Sequence, residues 1–105
     1  MISTHILDTT KGMPAKDVAV TLEKHEKNAW RSIGTDKTNS DGRIVFDCPK
    51  ETGVYRLTFH VEDYYKGDEH FFMNTPIIFN IKSTERKYHV PLLLNPYGYS
   101  TYRGS

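Results

Sequence analysis

Residues 88–94, Tyr88-His89-Val90-Pro91-Leu92-Leu93-Leu94, decide the fold class. Tyr88, Val90, Leu92 and Leu94 alternate with His89, Pro91 and Leu93, and an apolar series at period two reads as a strand with one face in a core. The same period recurs upstream. Val18, Val20 and Leu22 alternate with Ala19, Thr21 and Glu23; Tyr55, Leu57, Phe59 and Val61 alternate with Arg56, Thr58 and His60. Ile77, Phe79 and Ile81 alternate with Ile78, Asn80 and Lys82. Turn-forming clusters separate these runs at Lys11–Pro14, Asn39–Gly42, Pro49–Gly53 and Asn95–Gly98. Asp41-Gly42 carries the strongest hairpin signal, between Trp30–Thr38 and Arg43–Asp47, because glycine accepts positive φ. Val61–Gly67 lacks clear alternation, and a short helix stopped by Gly67 fits it. About eight short strands at this spacing predict an all-β, antiparallel two-sheet sandwich with one short helix.

At 105 residues the expectation is one domain spanning 1–105, since two independent cores do not fit. Residues of the set AVILMFWYC reach only 37%, while seven tyrosines outnumber five phenylalanines and one tryptophan. The chain is therefore short of aliphatic side chains and rich in a residue suited to half-buried faces and interfaces. A core this thin is expected to be completed by contact between subunits. Lys and Arg number 14 against 13 Asp and Glu, which provides neither a nucleic-acid footprint nor a charged tail. No apolar run approaches the roughly 18 residues of a membrane span, and no leader-like segment opens the chain. Cys48 stands alone, so it has no disulfide partner within the chain and reads as a small buried hydrophobe. A start at Met1 and an end in Arg-Gly-Ser fit a cytoplasmic protein.

Strand parity sends two histidines away from the core. With Val90, Leu92 and Leu94 facing inward, His89, Pro91 and Leu93 face the other way. In the first strand Ile6 is the core residue, which places Ser3, His5 and Leu7 opposite. Leucines beside histidines on such a face describe a buried interface or a cleft wall. Two histidines and Asp8 are too few for zinc, which takes three or four converging ligands, and no metal is expected. His25, His60 and His70 read as surface residues. No nucleophile elbow, phosphate loop or Rossmann fingerprint occurs. Chain ends usually fray in small polar residues, yet Tyr97–Ser105 keeps strand propensity to its last residue. Such a strand can place Arg103, Ser105 and the terminal carboxylate in a defined site, or it can pack its tyrosines along a sheet edge.

Together these segments resemble the transthyretin-like 5-hydroxyisourate hydrolases. Ser3-Thr4-His5-Ile6-Leu7-Asp8-Thr9, then Gly12-x-Pro14-Ala15, is similar to the family's opening. Thr38-x-x-Asp41-Gly42-Arg43 resembles its second block and Tyr88-His89-Val90-Pro91-Leu92-Leu93 its third. The final Tyr102-Arg103-Gly104-Ser105 resembles the signature that separates the enzymes from transthyretin itself. Asn95 departs from the Ser usual before the proline, and Asn74-Thr75-Pro76 from an aromatic followed by Pro. The resemblance implies a two-sheet sandwich of eight strands with one short helix. It also implies a homotetramer, a dimer of dimers, with active sites in the channel between dimers and no cofactor.

The activity implied is hydrolysis of 5-hydroxyisourate, a product of urate oxidation, to 2-oxo-4-hydroxy-4-carboxy-5-ureidoimidazoline. Water would attack a cyclic amide carbonyl. By the same resemblance His5, Arg43, His89 and Ser105 are the catalytic set, and His5, Arg43, Tyr102 and Arg103 hold the substrate. His5 is the expected base and His89 the other candidate. The alternatives are a transthyretin-type carrier of a small aromatic ligand, without catalysis, and a purely structural interaction domain.

Overall fold

The computed structural model describes residues 1–104. Strand β1 (Ile2–Asp8) buries Ile2, Thr4, Ile6 and Asp8 and turns Ser3, His5 and Leu7 outward, as the pleat of a strand requires. Strand β8 (Tyr88–Asn95) lies beside it with Val90, Leu92 and Leu94 inward. The two run parallel, Ser3 opposite His89, His5 opposite Pro91 and Leu7 opposite Leu93. Here the expectation of wholly antiparallel sheets is corrected. These strands sit at opposite ends of the chain, and the connection between them passes through the other sheet, the long crossover that a parallel pair needs.

β2 (Met13–Pro14) and β5 (Arg43–Phe46) both pair antiparallel with β1, and β9 (Gly98–Thr101) pairs with β8. This is the first sheet, ordered β2-β1-β8-β9 with β5 also on β1. The second is ordered β4-β3-β6-β7, from β3 (Ala19–Glu26), β4 (Ala29–Lys37), β6 (Gly53–Phe59) and β7 (Thr75–Ile81). Among the described residues that makes nine strands rather than eight, the additional one being the two-residue β2 inside the expected Lys11–Pro14 turn. Ile2, Ile6 and Leu92 of the first sheet share one core with Leu22, Leu57 and Phe59 of the second, all without exposed surface. Half-buried Cys48 packs at the edge of this core, as a small hydrophobe would.

Asp41-Gly42 does not close a hairpin. β4 pairs with β3, and β5 with β1 in the other sheet, so residues 38–42 carry the chain between sheets. Thr38 fastens that crossing. Its buried hydroxyl donates to the Ala15 carbonyl at 2.7 Å and accepts from the Val18 N–H at 2.9 Å. Gly42 takes φ +74°, and a Cβ there would meet the Ile6 carbonyl oxygen at 2.5 Å. Glycine is thus required by the close approach to β1, which produces the same local sequence as a hairpin turn. The tight hairpin joins β3 to β4 instead, through Lys27 and Asn28, at φ 50° and 64°. Both central residues at positive φ describe the type I′ geometry, here without the glycine that normally announces it.

Helix α1 (Val61–Tyr65) buries Val61 and Tyr65, one turn apart. Its last residue falls two before the expected stop, with Lys66 at φ 32° in the left-handed region ahead of Gly67. His60 precedes the helix rather than continuing β6, and its Nε2 lies 2.9 Å from the Thr21 hydroxyl. Among the described residues no helix is long and apolar enough to cross a membrane.

Candidate active site

His5, Arg43 and His89 meet on the outer face of the first sheet. His5 is the register partner of Arg43 across β1 and β5, and Ser3 is the partner of His89 across β1 and β8. Residues directly opposite in a ladder share a face, so three adjacent strands place these side chains side by side. His5 and His89 are half-buried, Arg43 is exposed, and Leu7 and Leu93 continue the face in half-buried positions. The parity argument therefore located the two histidines from sequence alone, except that Pro91 is itself buried; Arg43 entered only through the family resemblance.

Burial and neighbouring charge bias both imidazoles toward the neutral form. Burial lowers the pKa of His5 below 6.5, the Arg43 charge lowers it further, and a hydrogen bond to the Asp41 backbone and the Asp41 charge oppose. Burial also leads for His89, followed by the charges of Arg43 and His5, against a hydrogen bond with the Ser3 backbone. Both shifts favour the neutral ring, which carries a free lone pair near neutral pH. The Ser3 hydroxyl lies 2.8 Å from His89 Nδ1.

The C-terminal tail borders this face along the edge of β8. β9 pairs Leu92 with Thr101, and the same register reappears where Gly104 bridges to His89. By continuation of that register Tyr102 falls opposite Pro91. Proline has no N–H to give, so the ladder lapses there. The Thr101 hydroxyl donates to the Pro91 carbonyl at 2.6 Å, and the ladder resumes with the Gly104 N–H donating to the His89 carbonyl at 2.8 Å. A Cβ on Gly104 would stand 2.5 Å from His89 Cδ2 and 3.3 Å from Pro91 Cγ. The tail backbone thus lies against the imidazole itself.

The remaining expected site residues are placed differently. Tyr102 is exposed. Arg103 holds its guanidinium 5.0 Å from the centre of the Tyr88 ring, whose side chain belongs to the core face of β8. Tyr102 and Arg103 line, with His89 and residues of β7, a cleft of about 270 Å³ at the open edge between the sheets. The structure brings His5, Arg43 and His89 together and sets Arg103 beside Tyr88 instead. Ser105 lies outside the described residues. Sequence reading assigned no role to Ser3 or Gly104. Ser3 had a signal, its parity with His5; Gly104 had none beyond its place in the terminal motif.

The other histidines stand elsewhere. His25 is exposed against Trp30, and half-buried His70 stacks on Tyr65. Among the described residues no group of three or more His, Cys, Asp or Glu side chains is arranged to hold a metal ion.

The chain resembles known proteins throughout its length. It is 44% identical over 110 residues to the 5-hydroxyisourate hydrolase of Salmonella dublin, covering 100% of this chain and 81% of that protein. The solved 5-hydroxyisourate hydrolase of Klebsiella pneumoniae superposes with a TM-score of 0.86 at 36% identity, over 99% of this chain and 98% of the other. A solved (S)-allantoin synthase superposes with a TM-score of 0.88 at 31% identity; this chain covers only 43% of that longer protein, with 99% of its own length. The sequence profile of the HIUase/Transthyretin family matches residues 2–104, and the chain belongs to that family.

Proposed function

We propose that this chain hydrolyses 5-hydroxyisourate to 2-oxo-4-hydroxy-4-carboxy-5-ureidoimidazoline in urate degradation, acting as a single domain over residues 1–105. The observation that carries the proposal is the meeting of His5, Arg43 and His89 on one face, with both imidazoles biased toward the neutral form. Water is a weak nucleophile and an amide carbonyl a weak electrophile. One histidine takes a proton from water as its oxygen bonds to the carbonyl carbon. The Arg43 fork steadies the negative charge that develops on the carbonyl oxygen. Collapse breaks the ring C–N bond, and the nitrogen recovers the proton from the imidazolium. In this reading Tyr102 and Arg103 complete the binding site, Ser105 joins the catalytic set, and no cofactor takes part.

The test is the spectrophotometric decay of freshly made 5-hydroxyisourate as a function of pH. The base must be neutral, and its pKa lies below 6.5. Activity is therefore expected to hold on the alkaline side of the lowered value and to fall as pH drops through it. Absence of any acceleration over the uncatalysed decay would leave the carrier, which predicts saturable binding of a small aromatic ligand such as thyroxine without turnover.

The assembly belongs to the same proposal: a homotetramer, a dimer of dimers, with the site in the channel between dimers. Its support is surface that one chain leaves wet. Phe71 is 70% exposed and Met73 61%, and the rings of Phe71, Phe72 and Tyr99 form a contiguous aromatic group beside them. Patches of this kind mark contact with another chain. Sedimentation is expected to show a tetramer at working concentration, and a stable, fully active monomer would overturn this arrangement. The unpaired Cys48 suits a reducing compartment, and a cytoplasmic location is part of the reading.

A further inference from the structure

Ser3 occupies a position that polar surface chemistry does not explain. Serine is a poor strand former, yet it sits within β1, half-buried, two residues before His5 and on the same face. Its Oγ is 2.8 Å from His89 Nδ1. The parallel register sets the two residues directly opposite each other, so the contact is built into the sheet rather than into a mobile loop. On the other side of the ring, Gly104 packs so near Cδ2 that a Cβ there would stand 2.5 Å from it. The imidazole is gripped at Nδ1 and at Cδ2, and Nε2 is left as its free nitrogen.

We propose that Ser3 is a positioning residue for His89, its hydroxyl accepting the Nδ1–H so that the Nε2 lone pair is held toward the substrate. The inference rests on the hydrolase reading above. A ring nitrogen that donates to a fixed acceptor determines which tautomer the other nitrogen presents. With Nδ1 protonated, Nε2 accepts the proton that water loses as the new C–O bond forms. The resulting imidazolium keeps its Nδ1–H on Ser3 while Nε2–H passes to the leaving ring nitrogen as the C–N bond breaks. Each turnover returns His89 to the same neutral tautomer, and one water is consumed. Without the Ser3 hydroxyl only the hydrogen bond with the Ser3 backbone remains, and the Nε2–H tautomer, which is the wrong one for accepting a proton, gains population.

Two readouts test this, and they fail separately. The first is nitrogen NMR of the ¹⁵N-histidine-labelled protein with no substrate present, which reads the tautomer whether or not the chain is a hydrolase. His89 is expected to show a protonated Nδ1 and a bare Nε2, moving toward the Nε2–H form in Ser3→Ala. The second is ring opening. Ser3→Ala is expected to lower kcat about 10- to 100-fold with KM within about twofold, since partners that orient a working imidazole contribute on that scale. Ser3→Thr, which keeps the hydroxyl, is expected to recover kcat to within about threefold. A wild-type His89 found as the Nε2–H tautomer overturns the proposal, as does Ser3→Ala at wild-type kcat, or Thr no better than Ala. If Ser3→Ala does not fold, the wild-type spectrum and the Thr variant still decide. A wild-type protein with no ring-opening activity removes the hydrolase reading and leaves the nitrogen spectrum to judge the Ser3–His89 bond alone.

Discussion

Replacing Arg43 by methionine is expected to lower kcat/KM for ring opening about 10²–10³-fold at pH 7, the scale on which removing one oxyanion donor costs an acyl-transfer enzyme. Two separable losses contribute. The guanidinium charge lowers the pKa of both His5 and His89, second only to burial in each case. Without it both values rise, and the acidic limb of the pH profile moves to higher pH. That part of the loss is regained by raising the pH. The second part is the missing donor at the carbonyl oxygen, and no pH restores it. Arg43→Lys separates the two, because the ammonium keeps the charge but not the planar fork. The lysine variant should hold the wild-type limb while recovering only part of the plateau rate. Arg43 is exposed and lies on the short strand β5, so the fold should survive either change. A methionine variant with the wild-type profile at every pH would take Arg43 out of the chemistry.

The site was legible in the sequence where a strand's own period decides the matter. Alternation in residues 2–8 and 88–94 placed His5 and His89 off the core face, and the sheet confirms that side of each strand. Which strands lie together was another matter. Nothing local says that β1 runs parallel to β8, because that pairing is set by the path of the chain through the second sheet. Asp41-Gly42 shows the same limit. A glycine demanded by the approach to Ile6 looks the same in sequence as a glycine demanded by a hairpin, and only the buried bonds of Thr38 reveal that the chain changes sheets. Lys27-Asn28 is the converse case, a tight hairpin in which Asn28 tolerates positive φ but Lys27 gives no sign of it and no glycine marks the turn. The thin aliphatic content acquires a clearer meaning. The core is continuous between the sheets and holds aromatics of its own, such as Tyr55 and Phe59, while a second aromatic group, Phe71, Phe72, Tyr97, Tyr99 and Tyr102, lies exposed outside it. The tail was flagged by its terminal motif, but the part played by Gly104 was not, because it matters through what its missing side chain leaves room for.

That absence makes Gly104→Ala the most economical perturbation of the site. The added methyl would stand 2.5 Å from His89 Cδ2, closer than real Cβ contacts, and 3.3 Å from Pro91 Cγ. Glycine's conformational freedom is not at issue, only space. Proline at position 91 has no slack to give, since Pro91 is buried in β8. Either the tail lifts, losing the bond from the Gly104 N–H to the His89 carbonyl, or the imidazole turns away from its bond with Ser3. Both routes displace a reacting group by something near 1 Å, and a misplacement of that size costs about 10²-fold in rate. Stability should change little, because the bridge lies beyond the end of β9 at the sheet edge and outside the core. The expected result is therefore a large fall in kcat with a nearly unchanged denaturation midpoint. A cycle with His89→Ala identifies the cause. If the methyl acts through the ring, Gly104→Ala adds almost nothing once the ring is gone, and the two losses are far from multiplicative. If the losses multiply, the tail serves the reaction by a route independent of His89, and its packing against the imidazole is only structural.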